Sequence, residues 1–142
     1  IWLLEINTRI SQSHCDLFAK VDGVSHHQVT IDLALGRKPD MPRREGSYPV
    51  GAKFFHRVFF KDATVARVPT AEEIDAVQRR VPGTIVAPQV HRDQRLSDLP
   101  EQDSYSYAVA YVWMGASDQG TLLGNYASVI ESLPFEFADI QE

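Results

Sequence analysis

The feature that most constrains the fold is the longest strand signal in the chain, a run of ten residues at positions 105–114. The run is rich in the aromatic and β-branched residues that suit the pleated surface of a sheet. A final helix is expected to follow it, over residues 118–133. In a regular strand Tyr105, Tyr107 and Tyr111 share one face, which predicts a core or interface role for these three rings.

Shorter runs also have the composition of strands, at residues 1–6, 53–60, 64–68 and 84–90. Pro88 cannot donate a hydrogen bond to a neighbouring strand, so we expect the last of these runs at the edge of its sheet. We expect residues 96–103 to form a polar loop and residues 134–137 to pack back on the body of the protein.

Two further helices are predicted from their caps. Ser25 is a good N-cap for a helix that ends at Leu35, and Gly36 is placed to close it in a left-handed conformation. Its expected inward-facing residues are Val29, Ile31 and Leu33. The second helix begins at Thr70, whose hydroxyl forms a capping box with the carboxylate of Glu73. Its expected inward-facing residues are Ile74 and Val77.

The order of these elements predicts an α+β fold, a mainly antiparallel sheet built from hairpins with helices packed on one face. Residues 39–50 are rich in proline and charge and are typical of a linker. The chain is thereby divided into an N-terminal unit over residues 1–38 and a C-terminal α+β unit over residues 51–142. Because the chain opens in what reads as the middle of a strand and not at Met, we expect an N-terminal part of the same protein to precede it.

Bulk properties exclude several classes of partner. The formal net charge of −5 argues against nucleic acid, because nucleic-acid-binding surfaces are basic. No apolar run approaches the roughly 20 residues that cross a bilayer, and the first residues do not form a signal peptide, so no membrane partner is expected. The single cysteine, Cys15, excludes an internal disulfide and favours a reducing, cytoplasmic location.

The residues with the clearest chemical potential lie at the end of the first strand-like run. Glu5 and Asn7 are two residues apart, so their side chains point the same way from a strand. A carboxylate and an amide oxygen aimed at one point suit Mg²⁺ or Mn²⁺. Arg9 continues the same face and offers a planar set of donors for a phosphate or carboxylate. From spacing alone, a solvated strand edge is the alternative.

Residues 5–10, which read EINTRI, and the histidine that follows resemble the E-x-N-T-R-I…H segment of biotin carboxylases and other ATP-grasp enzymes. The resemblance implies that Glu5 and Asn7 ligate the magnesium ions of bound Mg-ATP. It also implies that Arg9 contacts the reacting phosphate or acyl group. His14, in the same loop, is a candidate for the wall of the substrate pocket.

Residues 21–36 continue the similarity at a helix of those enzymes, so that it is strong over residues 1–38. Residues 102–105 carry a weaker similarity, in the same order, to a late strand. One position departs from the pattern. Biotin carboxylases have a glutamate base immediately before the histidine, and this chain has Ser13, whose hydroxyl is not a base at neutral pH without a partner. The resemblance therefore implies the C-terminal part of an ATP-grasp fold in a carboxylate–amine (or carboxylate–thiol) ligase, dipeptide-forming enzymes included. Its cofactors would be ATP and Mg²⁺, and its substrates a small carboxylate and an amine.

Two alternatives remain open. One is biotin carboxylase-like carboxylation, and the other is a non-catalytic binding or dimerisation module in which residues 54–60 and the tyrosine-rich strand form a homodimer interface. His26 and His27 are adjacent at a helix start and face different directions, so a structural role is expected. Arg57 is a further site candidate, because the resembling enzymes carry an active-site arginine on a strand in this region. Packing or a surface ion pair is its alternative role.

Overall fold

The computed structural model describes residues 9–11, 13–59, 61–100 and 106–141. Antiparallel sheets together with helices confirm the predicted α+β class. The strand predicted at residues 1–6 lies outside the described residues. No helix in the described ranges is long and apolar enough to cross a membrane. The elements, in chain order, are α1 (Cys15–Asp22), α2 (His26–Ala34), β1 (Val50–Val58), β2 (Asp62–Arg67), α3 (Ala71–Arg80), β3 (Ile85–Pro88), a 3₁₀ turn (Leu96–Asp98), β4 (Tyr107–Ala116), α4 (Gln119–Glu131) and β5 (Glu136–Gln141).

Strand β4 lies at the centre of a three-stranded antiparallel sheet with the order β1-β4-β3. It takes this place because most of its residues are buried, so its backbone groups need strand partners on both sides. β3, which contains Pro88, is an edge strand of the described sheet, as predicted. β2 pairs instead with β5 in a separate two-stranded sheet, so the expectation of hairpins between consecutive strands is wrong. The tail packs back as expected, through Phe135 and Phe137, and β5 is a strand that its own pattern does not predict.

The main core fills the space between this sheet and the helices α3 and α4. β4 contributes Val112 and Met114, which are fully buried. The helices contribute Val77, Leu122 and Val129 to the same cluster. Burying such side chains completely stabilises a fold by about 1.5–3 kcal/mol each, so this layer holds the sheet in place.

Side-chain caps begin three helices, and two of these caps, Ser25 and Thr70, are the predicted ones. Ser25 and Asp118 accept hydrogen bonds from backbone N–H groups in the first turns of α2 and α4. At α3, the Thr70 hydroxyl accepts from the Glu73 N–H at 3.3 Å while the Glu73 carboxylate accepts from the Thr70 N–H at 2.8 Å. Gly36 follows α2 with φ of +68°, the predicted left-handed conformation.

Helix α2 packs more loosely than predicted. Ile31 and Leu33, expected to face inward, expose 53% and 61% of their surface, and Val29 is half-buried. The prediction is wrong for Ile31 and Leu33 because α2 packs against α1 and not against the sheet, through the ring of His26 stacked on Phe18 with centroids 3.7 Å apart.

Helix α1 is not predicted by the sequence pattern, and it covers the second face of the three-stranded sheet. A Cβ atom added to Gly51 would lie 3.2 Å from Val21 Cγ2 and 3.7 Å from Leu17 Cδ2, so α1 and β1 are in close contact. The neighbours of Gly51, Val50 and Ala52, pack on the main core, and successive side chains of a strand point to opposite faces. The sheet therefore has helices on both faces, and the expectation that they pack on one face is wrong.

One extra residue in β4 changes the face that its side chains occupy. The pairing of β4 with β1 skips Val109, which forms a β-bulge. Before the bulge, Tyr107 is buried in a second apolar cluster, whereas Tyr111 lies on the sheet face that carries α1. The expectation that Tyr107 and Tyr111 share one face is wrong for this reason, and Tyr105 lies outside the described residues.

The second apolar cluster joins β2, the start of β4 and the segment after β3. Leu96 is fully buried in it, although residues 96–103 were expected to form a polar loop. The Asp62 carboxylate accepts hydrogen bonds from Arg95 Nε at 2.9 Å and from the Ser97 N–H at 3.0 Å. These bonds fix the 3₁₀ turn and direct Leu96 inward.

The segment predicted to be a linker, residues 39–50, runs beside the end of α1 before β1 begins. The Gly46 N–H donates to a carbonyl of α1 at 3.0 Å. The ring of Tyr48 lies directly against Gly83 and Gly115, where a side chain would leave it no room. The segment thus packs on the sheet and on α1, and the division of the chain at this point stays a prediction.

Candidate functional site

A cleft of about 680 Å³ opens on the sheet face that carries α1. Its walls come from the loop before α1, from β1 and β4, and from the segment that follows β3. The described residues that line it are Ser13, Lys53, Phe55, Gln89, Leu99, Pro100, Ala108, Tyr111 and Trp113. Cavities of this size, with mixed apolar and polar walls, are typical of small-molecule sites.

The floor of the cleft is a pair of neighbouring strands whose aromatic side chains surround a lysine. Lys53 and Phe55 of β1 pair with Trp113 and Tyr111 of β4, so all four side chains project from one face. Lys53 Nζ lies 3.9 Å from the ring centroid of Tyr111, 4.5 Å from that of Phe55 and 5.1 Å from that of Trp113. Cation–π attraction to these faces contributes to holding the ammonium group.

Trp113 connects the cleft to the loop in which the sequence motif ends. Its indole Nε1–H donates to the carbonyl of Ser13 at 2.7 Å. In the same loop, His14 Nδ1 lies 2.6 Å from Ser11 Oγ and 3.1 Å from Ser13 Oγ. The thiol of Cys15 donates to the carbonyl of Ser11 at 3.0 Å, which orders the start of α1.

The structure describes only some of the residues predicted for the site. Glu5 and Asn7 lie outside the described residues, and Arg9 is the first described residue and is exposed. His14 is exposed beside the cleft, and its neighbour Ser13, not His14, is among the described lining residues. The part of the chain that the structure describes contains no group of three acidic, His or Cys side chains arranged to hold a metal ion.

Arg57 lies on the same face of β1 as Lys53, at the β-bulge. Its Nη1 donates to the hydroxyl of Ser106 at 2.7 Å, and its Cζ lies 5.5 Å from the ring centroid of Phe55. The neighbouring imidazole of His56 points away from this face toward Phe135, and its burial lowers its pKa below the ordinary value. The guanidinium of Arg57, which lies close to the ring of Phe55, adds positive charge next to the cleft.

Two of the described carboxylates have strongly lowered pKa values, and neither is among the described residues that line the cleft. Hydrogen bonds from Arg95 lower the pKa of Asp62 to about 2. Hydrogen bonds from the backbone and hydroxyl of Thr121 lower the pKa of Asp118, the N-cap of α4, to about 2 as well. A perturbed pKa marks a functional group only where the group lines a site, and these two groups act as a turn anchor and a helix cap.

Lys53 is not among the predicted site residues, and Phe55, Tyr111 and Trp113 lie in strands that were predicted only as core or as a protein interface. A signal was present, because Lys53 and Phe55 alternate on one strand and Tyr111 and Trp113 on another. That signal becomes a site only when the two strands are known to be paired. No protein-family model, no curated protein and no solved structure matches the chain.

Proposed function

We propose that this chain is part of an ATP-dependent carboxylate–amine ligase of the ATP-grasp type. The observation that carries the proposal is the Glu5-x-Asn7-x-Arg9 segment, which runs into the loop where Ser13 lines the cleft and accepts a hydrogen bond from Trp113. The motif supplies groups for Mg-ATP, and the cleft supplies room for a small organic substrate.

In the proposed reaction, a carboxylate oxygen of the substrate attacks the γ-phosphorus of ATP, and ADP leaves. The amine then attacks the acyl carbon, and inorganic phosphate leaves as the amide forms. Glu5 and Asn7 would hold Mg²⁺, which neutralises the charge of the transferring phosphate. Arg9 would hold the phosphate or the acyl phosphate through its fork of donors. The proposed reaction also requires an adenine pocket, a phosphate-covering loop and a further acidic metal ligand.

The loop chemistry favours a ligase over biotin carboxylation. The hydroxyl of Ser13 lies 3.1 Å from His14 Nδ1, and its carbonyl accepts the indole N–H of Trp113. Biotin carboxylases, which this segment resembles, carry a carboxylate base at this position. This chain has the neutral hydroxyl of Ser13 instead. Bicarbonate-dependent ATP hydrolysis stimulated by biotin is therefore not expected.

The proposed location of the enzyme is the cytoplasm. The single cysteine, Cys15, cannot form a disulfide within the given sequence, and this supports a reducing compartment.

A phosphate-release screen tests the proposal. The protein with its ATP-binding segments is incubated with Mg-ATP and a panel of amino acids and small carboxylates. Turnover should require both a carboxylate and an amine. Glu5→Ala and Asn7→Ala should each abolish it, while Glu131→Ala, an exposed carboxylate on α4, should leave it unchanged.

Two results would contradict the proposal. Phosphate release that is unaffected by Glu5→Ala and Asn7→Ala would separate the motif from ATP. Absence of release with every substrate pair, together with a stable dimer, would favour the non-catalytic dimerisation module.

A further inference from the structure

We propose that His14 is the base that removes the proton from the attacking amine, and that Ser11 and Ser13 position its ring for this task. The inference rests on the proposed ligase, because that reaction joins an amine to an acyl group and so releases a proton that another group must accept. Ser13 itself does not accept it, since a hydroxyl is not a base at neutral pH without a partner.

Both serine hydroxyls contact the same nitrogen of the His14 ring. Ser11 Oγ lies 2.6 Å from Nδ1, and Ser13 Oγ lies 3.1 Å from it. Within the described part of the chain, the other ring nitrogen, Nε2, has no hydrogen-bond partner, and His14 is exposed. Nε2 is therefore the ring nitrogen that a substrate can reach.

The two hydroxyls determine which nitrogen can act as the base. A neutral imidazole carries its proton on one nitrogen and a lone pair on the other. The proposal assigns the proton to Nδ1, which donates it to the oxygens of Ser11 and Ser13, so that the lone pair is on Nε2. When Nε2 takes a second proton, the hydrogen bonds from Nδ1–H favour the charged ring that results.

Hydrogen bonds to the carbonyls of both serines fix the loop around the ring. The Ser11 carbonyl accepts from the Cys15 thiol at 3.0 Å and from the His14 N–H at 3.3 Å. The Ser13 carbonyl accepts from the indole N–H of Trp113 at 2.7 Å. A catalytic group is most effective when its geometry is fixed before the reaction, and this loop is held both by the start of α1 and by β4.

His14 is close in sequence to the residue proposed to hold the acyl phosphate. It lies five residues after Arg9, so the Cα atoms of the two residues are at most about 18 Å apart. The turn closed by the His14 N–H and the Ser11 carbonyl shortens this span. Side chains from the two positions can therefore meet one small substrate between them.

Proton transfer to His14 balances the second step of the proposed reaction. The uncharged amine nitrogen uses its lone pair to form a bond with the acyl carbon. The bond between that carbon and the phosphate oxygen breaks, and its electron pair leaves with inorganic phosphate. The N–H proton passes to the lone pair of Nε2, and the imidazolium then releases it to water.

Hydroxylamine separates this step from the formation of the acyl phosphate. The protein with its ATP-binding segments is incubated with Mg-ATP and pairs of the common amino acids, one as the acid and one as the amine. In a parallel set hydroxylamine, which is uncharged at neutral pH and traps acyl phosphates as hydroxamates without a base, replaces the amine. His14→Asn should lower amide formation by about 10²–10⁴-fold and leave hydroxamate formation unchanged.

The matched control is His27→Asn, at an exposed position of α2, which should change neither product. Amide formation that persists in His14→Asn would overturn the inference, because the leaving phosphate would then take the proton. Equal loss of both products would overturn it as well, since His14 would then act before the amine. Hydroxamate without amide from the unmodified protein would have the same meaning, whereas absence of both products would contradict the proposed ligase itself.

The state of the ring is measured without any variant and without ATP. ¹⁵N NMR of the protein labelled at histidine distinguishes the two neutral forms of the imidazole, and we expect the proton of His14 on Nδ1. A proton on Nε2 would overturn the inference, because that nitrogen would have no lone pair to offer. His14→Asn itself should fold, since His14 is the N-cap of α1 without a side-chain cap hydrogen bond and Asn is a preferred N-cap.

Ser11→Ala tests the positioning of the ring. It should move the proton of His14 toward Nε2 in the NMR spectrum and lower amide formation, but not hydroxamate formation. Ser47→Ala, at an exposed loop position, is the matched control and should change none of the three. An unchanged spectrum and rate in Ser11→Ala would overturn the positioning role of the serine.

Discussion

The packing of Tyr48 gives a prediction whose size can be worked out from the structure. Its ring lies between Gly83, in the turn after α3, and Gly115, near the end of β4, and so attaches residues 39–49 to the sheet. A Cβ atom at Gly115 would lie 2.5 Å from Tyr48 Cδ2 and 2.9 Å from Tyr48 Cβ. Real Cβ atoms essentially never come closer than 3.0 Å to such neighbours. Gly115→Ala therefore forces the ring or the strand to move, which costs about 1–3 kcal/mol of unfolding free energy.

Two other glycines give graded comparisons. In Gly83→Ala the new Cβ atom would lie 2.5 Å from Tyr48 Cζ, and the side chain would sit at a φ of +83°. This variant should therefore lose about 1 kcal/mol or more of unfolding free energy beyond the loss in Gly115→Ala. Gly124→Ala, within α4, meets no atom within 4 Å. Alanine is the better helix former by about 0.5–1 kcal/mol, so this variant should be more stable than the unmodified protein.

Urea denaturation measures all three variants, and a double-mutant cycle with Tyr48→Ala isolates the contact. Without the ring, Gly115→Ala should cost less than half of what it costs in its presence. An equal cost in both backgrounds would refute the reasoning, because the loss would then come from the strand and not from Tyr48.

Three further predictions concern pH and the loop beside the cleft. Asp62 and Asp118 have pKa values lowered to about 2 from the ordinary 3.8, so their stabilising contribution is complete above about pH 4 and is lost as the pH falls toward 2. Asp118→Asn, which keeps the cap, should flatten this part of the stability curve measured by urea denaturation. Burial lowers the pKa of His56 from 6.5, so the unfolded chain binds the extra proton and stability should fall as the pH drops below about 6.5, a slope that His56→Phe should remove. Trp113→Phe deletes the hydrogen bond to the Ser13 carbonyl and should cost about 1 kcal/mol. Faster hydrogen exchange in the first turn of α1 should accompany it, and unchanged exchange there would speak against the coupling of loop and cleft.

Local signals predicted much of the fold. The caps at Ser25 and Thr70, the closing glycine Gly36 and the edge position of Pro88 depend on a few neighbouring residues, and all of them are found in the structure. Such features are decided within one or two turns of chain, where the hydrogen-bonding needs of the backbone are the same in any fold.

The predictions that are wrong concern contacts between residues far apart in the sequence. The separation of β1 and β2 into different sheets, and the opposite faces of Tyr107 and Tyr111, follow from pairing with β4 and from the bulge at Val109. Leu96 is buried because Asp62, distant in sequence, fixes its turn. The cleft could not be predicted for the same reason, because its lysine and aromatic rings come together only when β1 and β4 pair.

The late position of β4 has a consequence for the synthesis of the protein on the ribosome. β1 ends at Val58 and β3 at Pro88, yet the strand that both require begins only at Tyr107. Until β4 emerges, the growing chain carries unpaired strand edges. It also carries the rings of Phe55 and Phe59, which are exposed even in the folded protein. Such edges pair readily with other chains, and distant strands close slowly. A polypeptide that stalls or is truncated before residue 107 should therefore depend on chaperones and aggregate in their absence, whereas release of the complete β4 should end that dependence.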